Sequence, residues 1–234
     1  MYRTYIFLLL LSFSFLGLHA QEDYEENDTS FFVPAFERDT NARVHVGAIV
    51  GLHLQGINYK VNQDPIFTDS ISNWSSNNNI GFSFGIIVDT RLTAHLSLES
   101  GLHIMISKLQ LNYRYKDKDY EPVTNYSTLQ VPAWINYAPK IQNNRFHYGA
   151  GAIFTTDISR RDEKYNRNIL LNEVNLLVGI GFGYRMRLPS LSNLNFDLQL
   201  HYGLLNLVAD DENYYNQAVD NINIWDISLY ISMD

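Results

Sequence analysis

The residues best suited to chemistry are six histidines, His45, His53, His95, His103, His147 and His201, with Glu99 and Asp197 among them. Imidazole and carboxylate together can bind zinc or move protons. They come from separate segments, so no ligand spacing is defined and no metal-binding residue is assigned. A Ser-His-Asp relay could be assembled from many positions, yet no G-x-S-x-G elbow is present. Gly179-Ile180-Gly181-Phe182-Gly183 alternates like a strand and leads into no helix that would cradle phosphate. With zero cysteines, thiol nucleophiles, thiolate metal sites and disulfides are excluded. The chain is therefore expected to be no enzyme, with no catalytic, cofactor-binding or metal-binding residues.

These residues sit within an alternation of period two that begins at Val44. Eight stretches follow it: Val44–Gln55, Ile80–Asp89, His95–Tyr113, Leu129–Tyr137, Phe146–Thr155, Glu173–Arg187, Leu194–Leu204 and Trp225–Met233. In each, one face is apolar and the other holds Gly, Ser, Asn, His and a few charges. A soluble sandwich or a lipocalin-type barrel would bury its apolar face and show water a charge-rich one. The polar face here is too sparse and too small for that. Glycines 149, 151, 179, 181, 183 and 203 suit the inside of a narrow lumen.

Links between the stretches alternate in length. Those over 60–79, 117–124, 159–169 and 206–221 are long; those over 90–93, 140–145 and 188–192 are short. The pattern predicts an all-β fold, an eight-stranded antiparallel up-and-down transmembrane β-barrel, with both termini periplasmic. Its apolar face would meet outer-membrane lipid, because a sheet in a bilayer must close and pair every backbone group. Past Lys108 the apolar positions shift to Leu109, Leu111 and Tyr113, which predicts a bulge or a strand rising out of its apolar surroundings. Tyr59, Tyr113, Tyr115, Tyr137, Tyr184 and Trp225 are candidates for interfacial girdles.

An eight-stranded lumen is filled by side chains and leaves no open pore. Its polar residues must satisfy one another. His53, Glu99, His103, Glu173, Arg185, Asp197, His201 and Asp226 are expected to form that interior network, with Arg187 as a second cation.

Arg3, the apolar run from Ile6 to Leu18 and Ala20 before Gln21 read as a secretory leader over residues 1–20. An N-terminal periplasmic tail spans 21–43, acidic at its start and carrying Phe31 and Phe32. The barrel occupies 44–234. With 17 Lys+Arg against 25 Asp+Glu and a net charge of -8, nucleic acid is not an expected partner. Function on such a scaffold belongs to its loops. Trp74, Tyr214, Tyr215, Phe31 and Phe32 are the candidate partner contacts.

Five segments carry a family resemblance: GFSFGIIVDTRLTAHLSLESGLHIM (81–105), STLQVPAWINYAPK (127–140), FHYGAGAIF (146–154), NEVNLLVGIGFGY (172–184) and LNFDLQLHYGLLNLV (194–208). Together they resemble the PorT-like outer-membrane barrels of Bacteroidota. Pro132 and Tyr137 keep the family's usual Pro-Leu-x-x-Lys-Tyr, while Ala133 and Asn136 replace its Leu and Lys. Met233-Asp234 stands where the family usually ends on an aromatic. The resemblance implies a small barrel without enzyme activity that takes part in a type IX-like secretion apparatus or another surface complex with envelope proteins. A free-standing structural or adhesin-like barrel that binds ligands through its extracellular loops is the alternative.

Overall fold

Strict alternation of large apolar with small polar residues makes a strand whose two faces meet different media. The computed structural model describes residues 44–68, 70–93, 95–121, 123–139, 146–159, 169–187 and 193–233. The segments expected to be a leader and a tail, residues 1–43 including Phe31 and Phe32, lie outside the described residues. Among the described residues the strands are β1 (Val44–Val61), β2 (Ile71–Asn77), β3 (Asn79–Arg91), β4 (Leu96–Tyr115), β5 (Lys118–Tyr120), β6 (Val123–Tyr137), β7 (Phe146–Asp157), β8 (Val174–Arg187), β9 (Asn193–Gly203) and β10 (Val219–Met233). Two single-turn helices, α1 (Pro65–Thr68) and α2 (Tyr214–Gln217), lie in the links.

Eight strands form a ring in the order β1, β3, β4, β6, β7, β8, β9, β10. The last strand returns antiparallel to the first, from Ala48 opposite Met233 to Val61 opposite Val219. Closure pairs every edge. The two extra strands, β2 and β5, both pair with the far end of β4. In the β4–β5 turn, Lys116 and Asp117 both take positive φ, 48° and 62°, the backbone of a two-residue hairpin loop matched to strand twist.

The barrel is inverted relative to a soluble one. On β3, Phe82 and Phe84 are 58% and 50% exposed, and Ser83 between them is 4% exposed. The same outward series continues through Leu52 and Leu54, Ile86, Leu102 and Ile106, Ile180 and Phe182, and Leu198 and Leu200. Left in water, each such side chain forfeits about 1.5–3 kcal/mol of burial free energy. A hydrocarbon surrounding restores it.

Strand β4 shows where that surrounding stops. It is 20 residues long, whereas a tilted strand crosses hydrocarbon in about 9–11. Its outward residues change from Leu102 and Ile106 to the polar series Lys108, Gln110, Asn112 and Arg114. Its pairing with β6 runs without slippage from Leu96 opposite Tyr137 to Gln110 opposite Val123. Leu109, Leu111 and Tyr113 therefore keep the inward direction of His103 and Ser107, and the parity change marks the strand leaving lipid, without a bulge. Beyond this level the apolar residues turn inside: Leu109 and Leu111 pack with Ile57, Ile222, Ile224 and Leu207. Tyr59, Tyr113 and Tyr115 belong to this upper interior instead of a girdle, because at their height the outside is water.

Candidate functional site

Inside the lipid-level ring, four adjacent strands send polar side chains to one point. Asp226 of β10 accepts through Oδ2 from His53 Nδ1 of β1 at 3.0 Å and His201 Nδ1 of β9 at 3.2 Å, and from the Ser228 hydroxyl. The other nitrogen of His53 lies 2.7 Å from Ser83 Oγ of β3. Ser83, His53 and Asp226 thus have the connectivity of a nucleophilic relay. No acyl substrate can reach it, because the three are buried in a filled lumen.

The filling is made of large groups over small ones. Trp134 of β6 lies across Gly149 and Gly151 of β7, where any Cβ would strike the indole. Tyr230 packs with Ile49 and Ile87 and meets the His53 ring edge-on at 5.3 Å. A void of about 10 Å³ remains between Glu99, His103, Gln199 and Tyr230. That is room for about one water, beside the His103 nitrogens, which have no hydrogen-bond partner among the described residues.

The expected interior network is distributed over distinct clusters. His53, His201 and Asp226 form the one above. Asp197 pairs with His147, and Glu99 accepts from Asn136 at 3.4 Å. Arg185 donates to Asn195 at 2.7 Å and reaches Asp89 at 3.5 Å. Glu173 is not brought in: it precedes β8, is exposed, and accepts from Asp157 N–H through its backbone carbonyl. The Arg187 side chain lies outside the described residues. Ser83, Asp89, Asn136, His147 and Ser228 complete the clusters. Their signal was parity alone, since all fall on the polar face. Which of them meet depends on inter-strand register.

Of the histidines assigned to the inner face, His95 sits in the β3–β4 turn, exposed, with Nδ1 3.1 Å from the Ala138 carbonyl. At this short-turn mouth it lines a recess of about 90 Å³ together with His45, Asp89, Arg91, His147 and Arg185.

The long-loop end is an ordered aromatic layer. Trp74 stands 5.2 Å from Tyr113 and accepts at its carbonyl from the Tyr59 hydroxyl at 2.7 Å. Tyr215 lies 5.5 Å from Tyr113, and burial pushes its hydroxyl pKa up. Tyr214 meets Phe67 at 5.2 Å and donates to the Ile66 carbonyl at 3.1 Å. Buried Asn216 holds two loops together, donating to the carbonyls of Leu170 and Ala209 and accepting from Leu170 N–H. Trp74, Tyr214 and Tyr215 are half-buried in these contacts. Among the described residues no group of three or more His, Cys, Asp or Glu is arranged to hold a metal.

The sequence matches the family described as outer membrane protein beta-barrel domain over residues 20–209. No curated protein matches it. Among solved structures, the chain is similar to the outer membrane protein OprG from Pseudomonas aeruginosa, at 9% identity and a TM-score of 0.40, covering 80% of this chain and 95% of that one. It is also similar to a Pseudomonas aeruginosa FadL homologue, at 12% identity and a TM-score of 0.30, covering 67% and 37%. The assignment rests on the family match together with the closed ring and its apolar exterior. This chain belongs to the outer membrane protein beta-barrel domain family, as a barrel embedded in outer-membrane lipid.

Proposed function

We propose that the barrel is a subunit of an envelope protein complex, linked to secretion of the type IX kind that its PorT-like segments suggest. The observation that carries this reading is the stoppered lumen: Trp134, Tyr230 and the Asp226 cluster fill the interior, so the work falls to the two ends. In this reading residues 1–20 are a cleaved leader, both termini are periplasmic and the long-loop end faces outward. Trp74, Tyr214 and Tyr215 offer the half-exposed aromatic surface typical of protein contacts, and Phe31 and Phe32 serve the periplasmic side.

Purification of the full chain in mild detergent tests it. Stable co-migration with the same envelope proteins, lost on changing Trp74 and Tyr214 to serine, is the expected result. A solitary monomer under all mild conditions contradicts it. The same aromatic surface also suits a free-standing adhesin-like barrel. In that case the two substitutions impair surface binding and leave secretion intact.

A further inference from the structure

The recess at the short-turn mouth has a chemistry unlike the rest of the chain. The molecule carries a net charge of -8, yet among the described residues the ionised side chains lining this recess are the guanidiniums of Arg91 and Arg185 against the single carboxylate of Asp89. Asp89 is buried and already faces Arg185 at 3.5 Å. Asp197, just behind, is engaged by His147. Arg91 has no carboxylate partner among the described residues. An unpaired guanidinium beside a half-engaged one offers several N–H groups to an incoming oxyanion, and the planar fork matches a carboxylate.

Two further features select among oxyanions. His95 is held by the Ala138 carbonyl through Nδ1, which leaves Nε2 of a neutral ring as an acceptor for an N–H. Leu96 and Ala138 give the recess apolar wall, suited to a carbon stem. Inorganic phosphate at neutral pH has neither an N–H nor a carbon stem. A peptide C terminus has a carboxylate, a neighbouring amide N–H and a side chain. We propose that this recess binds the C-terminal carboxylate of a peptide, with Arg91 and Arg185 on the carboxylate and His95 on the amide. This goes beyond the complex reading and does not depend on it.

The test uses the full chain in detergent, titrated calorimetrically with N-acetyl-tetraalanine as the free acid, with its C-terminal amide and with inorganic phosphate. The free acid is expected to bind saturably. The amide, and the free acid on R91Q, should each bind at least about tenfold more weakly, as loss of charge-assisted hydrogen bonds implies. Because Arg91 pairs with no carboxylate among the described residues, R91Q should keep the heat-modifiable migration of the folded barrel, and R91K should retain part of the affinity. Absence of saturable binding, equal binding of acid and amide, or indifference to R91Q overturns the proposal. Tighter binding of phosphate than of the peptide also overturns it, in favour of an inorganic anion site.

Discussion

His53 Nδ1 on the first strand of the ring and Asp226 Oδ2 on the last lie 3.0 Å apart, across the seam where the barrel closes. Backbone pairing joins β1 to β10, and this contact adds a side-chain clasp. Ser83, through His53, extends the clasp to β3 and His201 extends it to β9, so one hydrogen-bonded cluster centred on this carboxylate links four consecutive strands.

Removing that carboxylate leaves two imidazoles and a hydroxyl without their acceptor. Leaving a buried donor unsatisfied typically costs about 1–3 kcal/mol. D226A should lower the urea midpoint of the refolded barrel accordingly. D226N should lower it less, since the amide oxygen still accepts. Unchanged midpoints for both would remove the clasp as a source of stability.

Trp134 and Gly149 form a complementary pair. W134A should cost about 3–5 kcal/mol by leaving a cavity, and G149V should destabilise because its Cβ strikes the indole. The double variant should be more stable than the sum of the two losses predicts, with a coupling of about 0.5–3 kcal/mol. Strict additivity would mean that the two residues do not touch.

The lipid boundary on β4 gives a sharper contrast. L102R places a cation on the apolar band and should destabilise by about 2–4 kcal/mol, as charges near the bilayer midplane do. N112R, ten residues further along the same outward face, should change stability by less than about 0.5 kcal/mol. Equal effects in lipid vesicles would erase the boundary between Ile106 and Lys108.

This boundary also shows how far the sequence could be read. Period two settled the strands and their faces: Phe82, Phe84, Leu198 and Leu200 outward, His53, Asp197 and Asp226 inward. It could not say which inward residues meet, because that depends on register. His53 therefore reaches Asp226 while Glu173, of the same parity as its strand's polar face, lies beyond the end of β8. The Leu109, Leu111 and Tyr113 run was legible as a change but not as to its cause. An alternation read along one strand cannot distinguish a bulge from an unslipped strand whose outside changes from lipid to water.

At the β4–β5 hairpin, a hydrogen bond from Arg114 holds the Asp119 carboxyl below its ordinary 3.8. A lowered carboxyl pKa contributes stability above the ordinary value and loses it as pH falls through the lowered one. The hairpin should therefore loosen only on acidification below about pH 4, slightly, because both groups are exposed. Amide chemical shifts of 114–119 report it. In D119N they should show no such acid transition.

A filled lumen should not conduct. Planar bilayers containing the purified barrel should show no discrete current steps at neutral pH, and a regular unitary conductance would contradict the packing around Trp134 and Tyr230.

The account depends most on hydrocarbon surrounding the outward side chains, and the chain's zero cysteines make one measurement decisive. Single cysteines placed at Phe84, Leu102 and Asn112 in the vesicle-embedded barrel would carry nitroxide labels, relaxed by dissolved oxygen or by a water-soluble nickel complex. Oxygen should dominate at positions 84 and 102, and nickel at 112. Nickel-dominated relaxation at all three would show that water, not lipid, covers the barrel.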